Sequence, residues 1–248
     1  MGAGTLPCVD QNSRCVPIGL ITALRAEASC VSSAHVPFNA TILVDDLAVL
    51  WLSGMGAQAA RTAAEGLHQH GVTALVSFGV AGALSPDLKP GDLVLPDAIH
   101  VDTQLSVNIA WRDRLQNLLP ADITVQNGIL ANSDMPLTGT KAKLDLAQAT
   151  GACAVDMESA AIAAVAAAAG IPFIAVRAII DPLQFSPPGA LLGAVYPDGR
   201  VNPIRLTALI LKRSVHLTTL MQMGAGMRAA RKTLSRVIQL AGPGLTGC

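Results

Sequence analysis

The chain has 248 residues, with 17 basic and 17 acidic side chains, 51% hydrophobic and only 14% charged residues. A chain this long buries most of its surface around a large core, and a composition this apolar excludes disorder. Balanced charge leaves no basic field to recruit nucleic acid, so small-molecule chemistry is the default, and the scarcity of charge points to a homo-oligomer or a greasy ligand covering apolar surface.

Residues 1–15 (MGAGTLPCVDQNSRC) carry neither a secretory pattern nor a myristoylation signal and read as a flexible tail before a single domain, 16–248. The five cysteines, Cys8, Cys15, Cys30, Cys153 and Cys248, are odd in number and show no C-x-x-C spacing, which fits reduced thiols and a cytoplasmic location. Residues 16–24 (VPIGLITAL) and 47–53 (LAVLWLS) are continuous apolar runs that predict buried strands. After the second, Ala59, Ala60, Ala63, Ala64 and Leu67 recur at helical spacing up to the stop at Gly71. A strand at 73–80, a turn in SPDLKPGD and a strand at 92–99 follow, then a helix at 109–118 and a strand at 123–130.

Residues 159–176 are uncharged, but Gly170 and Pro172 cut them into pieces too short to cross a bilayer. They predict a buried helix at 157–169 and a buried strand at 173–180. From 203 to 240 the pattern turns helical and basic, as a pair of amphipathic helices forming a C-terminal extension of the domain. Alternating helices and apolar strands predict an α/β fold: a three-layer αβα sandwich around a central mixed, mainly parallel sheet.

Several motifs bear on chemistry. Gly54-x-Gly56-x-x-Ala59 has the form of a dinucleotide fingerprint, but TALVSFGVAG ends without the acid that would hold a ribose of NAD, so a tight turn remains. The small-residue segment Ser77-Phe-Gly-Val-Ala-Gly82 reads as a turn at a strand end, either a simple bend or a place for phosphate or sugar. Asp156 and Glu158 at a helix start either cap it, or Glu158 grips the vicinal hydroxyls of a ribose. Asp181 at a strand's carboxyl end is either a turn residue before Pro182 or a general acid. Arg25 and Glu27 are either surface helix charges or site groups, and the scattered histidines predict no metal site.

Taken in order, IGLITALRAEA, SGMGAQAA, SFGVAGALSPDLKPGDLVLPD, VDMESAAIA and IPFIAVRAIID resemble the nucleoside phosphorylase and methylthioadenosine/S-adenosylhomocysteine nucleosidase superfamily across roughly residues 18–181. The fuller phrasing is most similar to the hopanoid-associated phosphorylase branch, which implies removal of adenine from adenosylhopane, with inorganic phosphate as co-substrate and no cofactor. The resemblance implies that Glu158 binds the ribose hydroxyls, with Met157 packing under the sugar and Met55 lining its pocket. Asp181 would protonate purine N7, Glu27 would position a water nucleophile, and Met135 and Leu137 would border the base. Arg25 with the backbone of Gly79, Val80 and Gly82 would hold phosphate. Two residues depart from the pattern: Val80 stands where many relatives carry Ser or Thr, and Ile180 replaces a frequent Ser. The alternatives are a nucleosidase using water and a non-catalytic nucleoside-binding module. The basic helices 203–240 are either ordinary packing helices with a solvated basic face or, with a lipid-linked substrate, a peripheral contact at a membrane surface.

Overall fold

The computed structural model describes residues 17–185, 188–212 and 215–245; the expected tail lies outside them. The first strand, β1 (Ile18–Thr22), lies between β3 (Ala48–Leu52) and β4 (Ala74–Ala83), parallel to both. β11 (Phe173–Asp181) runs parallel to β4 on its other flank. β2 (Thr41–Asp45) closes one edge antiparallel to β3.

Every residue of β1 is buried, as is nearly all of β4 and β11, because helices cover both faces. Alternation survives in which face each side chain serves. Val76, Phe78, Ile174, Val176 and Ala178 join a core with α1 (Arg25–Val31), α3 (Ile109–Leu118) and α7 (Leu217–Ala241). Leu75, Ala81, Phe173, Ala175 and Ile179 join the opposite core with α2 (Ala57–Gln69) and α5 (Ser159–Ala169). The expected three-layer sandwich with a mixed sheet is therefore what the chain forms.

Three readings of the strands change. The small-residue segment 77–82 is no turn: β4 runs through it to Ala83, paired with β11 along one flank and with β10 (Ala154–Asp156) at Gly82 and Ala83. Lack of bulk there serves close approach by side chains rather than a bend. The run 92–99 divides into β5 (Leu93–Val94) and β6 (Ala98–His100), because Pro96 between them cannot donate to a ladder. The run 123–130 divides likewise into β8 (Val125–Gln126) and β9 (Ile129–Asn132) around Gly128, whose φ is 120°. β2, the short β7 (Gln104–Ser106), β10 and the helix α4 (Thr140–Thr150) were not legible in the sequence pattern.

The basic C-terminal region does form two helices, α6 (Pro203–Leu211) and α7. Gly226, Ala230, Leu234, Val237, Ile238 and Ala241 form one buried face of α7 against the sheet, so its second half belongs to the core. Among the described residues no helix is long and apolar enough to cross a membrane.

Candidate active site

The topology of β4 creates the site. On one flank β1 pairs only as far as Ser77, and β10 takes over only at Gly82. Between them the flank of β4 has no partner strand, and its polar backbone groups need other partners. Glu27 supplies one of these. As the third residue of α1 it reaches back to the helix's N-terminal backbone: Oε2 accepts from Leu24 N at 2.8 Å and from Ala23 N at 2.9 Å. Its Oε1 accepts from Val80 N at 2.9 Å.

Arg177 rises from β11 into the same region, 1% exposed. It pairs with Asp156 Oδ2 at 2.6 Å, and its guanidinium donates to Ser77 Oγ at 2.5 Å and to Ser159 Oγ at 3.1 and 3.2 Å. A Cβ on Gly79 would stand 2.5 Å from both Arg177 Nη1 and Glu27 Oε1, so the absence of a side chain leaves room for both charged groups over β4. Burial pushes the Glu27 carboxyl above its ordinary value, against the Arg177 charge and the backbone donors.

Glu158 is the N-cap of α5, yet its side chain leaves its own helix: Oε1 accepts from Gly56 N at 2.7 Å, at the head of α2. Gly56 adopts φ 96°, which only glycine tolerates easily and which presents this N–H to the carboxylate. Burial, opposed by Arg177 and reinforced by Asp156, pushes Glu158 up to about 7. Asp156 is not the cap itself. It lies two residues earlier, accepts weakly from Ser159 N at 3.3 Å, and spends its charge on Arg177.

At the end of β11, Asp181 is paired with Lys143 of α4. Burial raises the Asp181 carboxyl, and the Lys143 charge and hydrogen bond hold that rise back.

One cavity joins these groups. Glu27, Met55, Val80, Gly82, Met135, Leu137, Met157, Glu158 and Asp181 all line it, together with Asp156 and Lys143. Nearly every residue singled out in the sequence is thus brought together. Gly79 lies beneath, under the Glu27 and Arg177 side chains. Arg25 is the exception: it points away, with Nε 2.7 Å from Asp198 Oδ2 and a further bond to Val36 O. Asp198 also meets Arg200 at 2.7 Å, and these hydrogen bonds, against the upward push of lost solvent, hold its carboxyl below the ordinary range.

Arg177 and Lys143 were not assigned a task in the sequence. An arginine inside the apolar run FIAVRAIID was the available signal for the first, since a buried guanidinium requires a partner. Nothing local marks Lys143. Among the described residues no group of three His, Cys, Asp or Glu is placed to hold a metal ion.

Chemically, the cavity presents three carboxyls that burial raises above their ordinary values, that of Glu158 to about 7, a buried cation beneath them, and walls of Leu24, Met55, Met135 and Leu137. The family model described as the phosphorylase superfamily matches residues 22–191. A 5′-methylthioadenosine/S-adenosylhomocysteine nucleosidase of Staphylococcus aureus is 26% identical over 195 residues, covering 66% of this chain and 86% of its own. Among solved structures, the Helicobacter pylori nucleosidase of the same name superposes with a TM-score of 0.69 at 16% identity, covering 92% of this chain and 97% of its own. The futalosine hydrolase of the same organism superposes at 0.68 with 17% identity, covering 90% and 96%. At these identities the structural likeness speaks to the fold.

Proposed function

Because the chain belongs to the phosphorylase superfamily, we propose that it cleaves the N-glycosidic bond of a purine nucleoside, releasing adenine from an adenosine with an apolar 5′-substituent. The observation that carries this reading is the convergence of Glu27, Glu158 and Asp181, each with its carboxyl raised by burial, on one cavity. Bond cleavage builds positive charge on the sugar and negative charge on the purine, by analogy with glycoside hydrolysis. Glu158 would hold the ribose hydroxyls and face the positive charge, with Met55 and Met157 as walls. Asp181 would protonate the departing base. The apolar lining of the cavity, with Leu24, Met55, Met135 and Leu137, suits a nucleoside that carries a greasy 5′-group.

The acceptor has two readings. The motifs similar to the hopanoid-associated branch favour phosphate, with adenosylhopane or a similar lipophilic adenosine as substrate. The setting of Glu27 favours water: the Val80 N–H is already taken by its carboxylate, and Arg25 is engaged by Asp198. A carboxylate held by three backbone donors is placed to orient water and take its proton.

Incubating the purified protein with adenosine, methylthioadenosine and adenosylhopane, with and without phosphate, tests both levels. Adenine release from none of them overturns the proposal, and tight adenosine binding without release would point to a binding module. Adenine release that requires phosphate assigns phosphorolysis, whereas release without phosphate that is lost in Glu27→Gln assigns water. The exposed Ile204, Leu217 and Met221 of α6 and early α7 favour a peripheral lipid contact there. Flotation with anionic liposomes that is unchanged when Ile204, Leu217 and Met221 are replaced together by Ser would remove it. The homo-oligomer expected from low charge content is checked by sedimentation.

A further inference from the structure

Among the described residues three cations are buried, Arg112, Arg177 and Lys143, and the last has no task in the chemistry above. Lys143 is 2% exposed, and a buried ammonium is retained only when its desolvation is offset. All three of its N–H directions are used: it donates to Asp181 Oδ2, to Pro182 O at 2.9 Å and to Phe185 O at 2.8 Å. No donor is left for a substrate. The cation therefore acts on the chain after β11, gripping Asp181 and the turn that follows it.

This grip is asymmetric. Lys143 takes Oδ2 of Asp181, and among the described residues Oδ1 receives no hydrogen bond. Oδ1 is then the oxygen free to carry a transferable proton into the cavity. Other elements around Asp181 add no charge at close range: β4 presents Gly82, and α7 presents Gly226 against the neighbouring Ile180 carbonyl. Glu27, Asp156 and Glu158 line the same cavity, with Arg177 behind them, but Lys143 is the charged group acting on Asp181.

We propose that Lys143 is a positioning residue for Asp181, holding Oδ2 so that Oδ1 faces the departing purine and serving as counterion to the carboxylate that proton transfer leaves behind. The proposal rests on the purine-cleavage reading. In the step, the Oδ1–H bond breaks and a purine N–H bond forms, while the electron pair of the glycosidic bond leaves with the base. The sugar carbon takes its new bond from water or phosphate. Before transfer Lys143 faces a neutral acid; afterwards it faces an anion, so its interaction strengthens along the reaction and lowers the barrier.

The test compares wild type with Lys143→Gln, which keeps a donor without charge, and Lys143→Arg, which keeps charge. Two readouts are needed. First, the carboxyl of Asp181 is titrated by carbon-13 NMR in protein labelled at aspartate, with its signal assigned by loss in Asp181→Asn. Loss of the lysine charge should raise the midpoint by about one unit or more in Lys143→Gln, and leave it near wild type in Lys143→Arg. Second, kcat for adenine release should fall by about 10- to 100-fold in Lys143→Gln with KM changed by less than about threefold, and the alkaline limb of kcat/KM should move to higher pH. An unmoved midpoint in Lys143→Gln, or an equal loss of rate at every pH, would overturn the role and leave Lys143 a structural clamp. If wild type releases no adenine while the midpoint still moves, the purine-cleavage reading fails and the coupling of Lys143 to Asp181 stands. If adenine is released and the midpoint is unmoved, this proposal fails alone.

Discussion

Replacing Arg177 by Met isolates the electrostatics of the site, because methionine fills similar space without charge. Arg177 is 1% exposed and bonded to Asp156, Ser77 and Ser159, and its charge holds down the carboxyls of both Glu27 and Glu158. Removing one partner of a buried ion pair costs about 3–5 kcal/mol, and the three carboxylates around Arg177 place this variant at the upper end. For a chain of this length each kcal/mol lowers Tm by about 2–4 °C, so the melting point should drop by roughly 10 °C or more at neutral pH. The loss should also depend on pH. Burial already places the folded-state values of Glu27 and Glu158 above the ordinary 4.5, and without Arg177 they rise further. The folded state then binds more protons than the unfolded state through that window. Stability carried by the protonated carboxyls is full below the unfolded value and lost as pH rises through the folded value, which for Glu158 is about 7 even with Arg177 present. Denaturant unfolding of wild type and Arg177→Met at pH 5 and pH 8 should show the larger deficit at pH 8. A deficit equal at both, or larger in acid, would refute the reasoning.

Asp181→Asn keeps the shape of the site but removes the proton, so kcat for adenine release should fall by about 10²- to 10⁴-fold, while adenosine affinity measured by calorimetry stays within about threefold of wild type. Comparable activity would show that another group protonates the base. Gly226→Ala would drive a methyl into the carbonyl oxygen of Ile180, the residue before Asp181, where α7 crosses the end of β11. Overpacking of this kind costs about 1–3 kcal/mol, and urea unfolding together with kcat should both register it; an unchanged midpoint would mean the two backbones separate freely.

Much of the fold was legible because its signals are local. The spacing of alanines in α2, the runs that became β1, β3 and β11, and the stop at Gly170 after α5 each act within a few residues. α3 came out at its expected bounds, capped by Asn108 accepting from Trp111 N. β7 and β10 are three residues each, β2 lies half-exposed at the sheet edge, and α4 buries a lysine rather than an apolar stripe, so none of them carries a periodicity that separates it from a loop. Arg25 shows the converse: its place after β1 suggests the site, yet Asp198, distant in sequence, turns it away.

The amino-acid sequence by itself determined an α/β sandwich and the motif set that marks Glu27, Glu158 and Asp181, because hydrophobic period, turn residues and ordered motifs are written along the chain. Only the tertiary structure decided which charges answer those acids. The gap between β1 and β10 beside β4, the reach of Arg177 to Asp156, and the seating of Lys143 on Asp181 join residues far apart in sequence. Whether a buried charge finds its partner depends on distance and desolvation in three dimensions, and no local spacing encodes either.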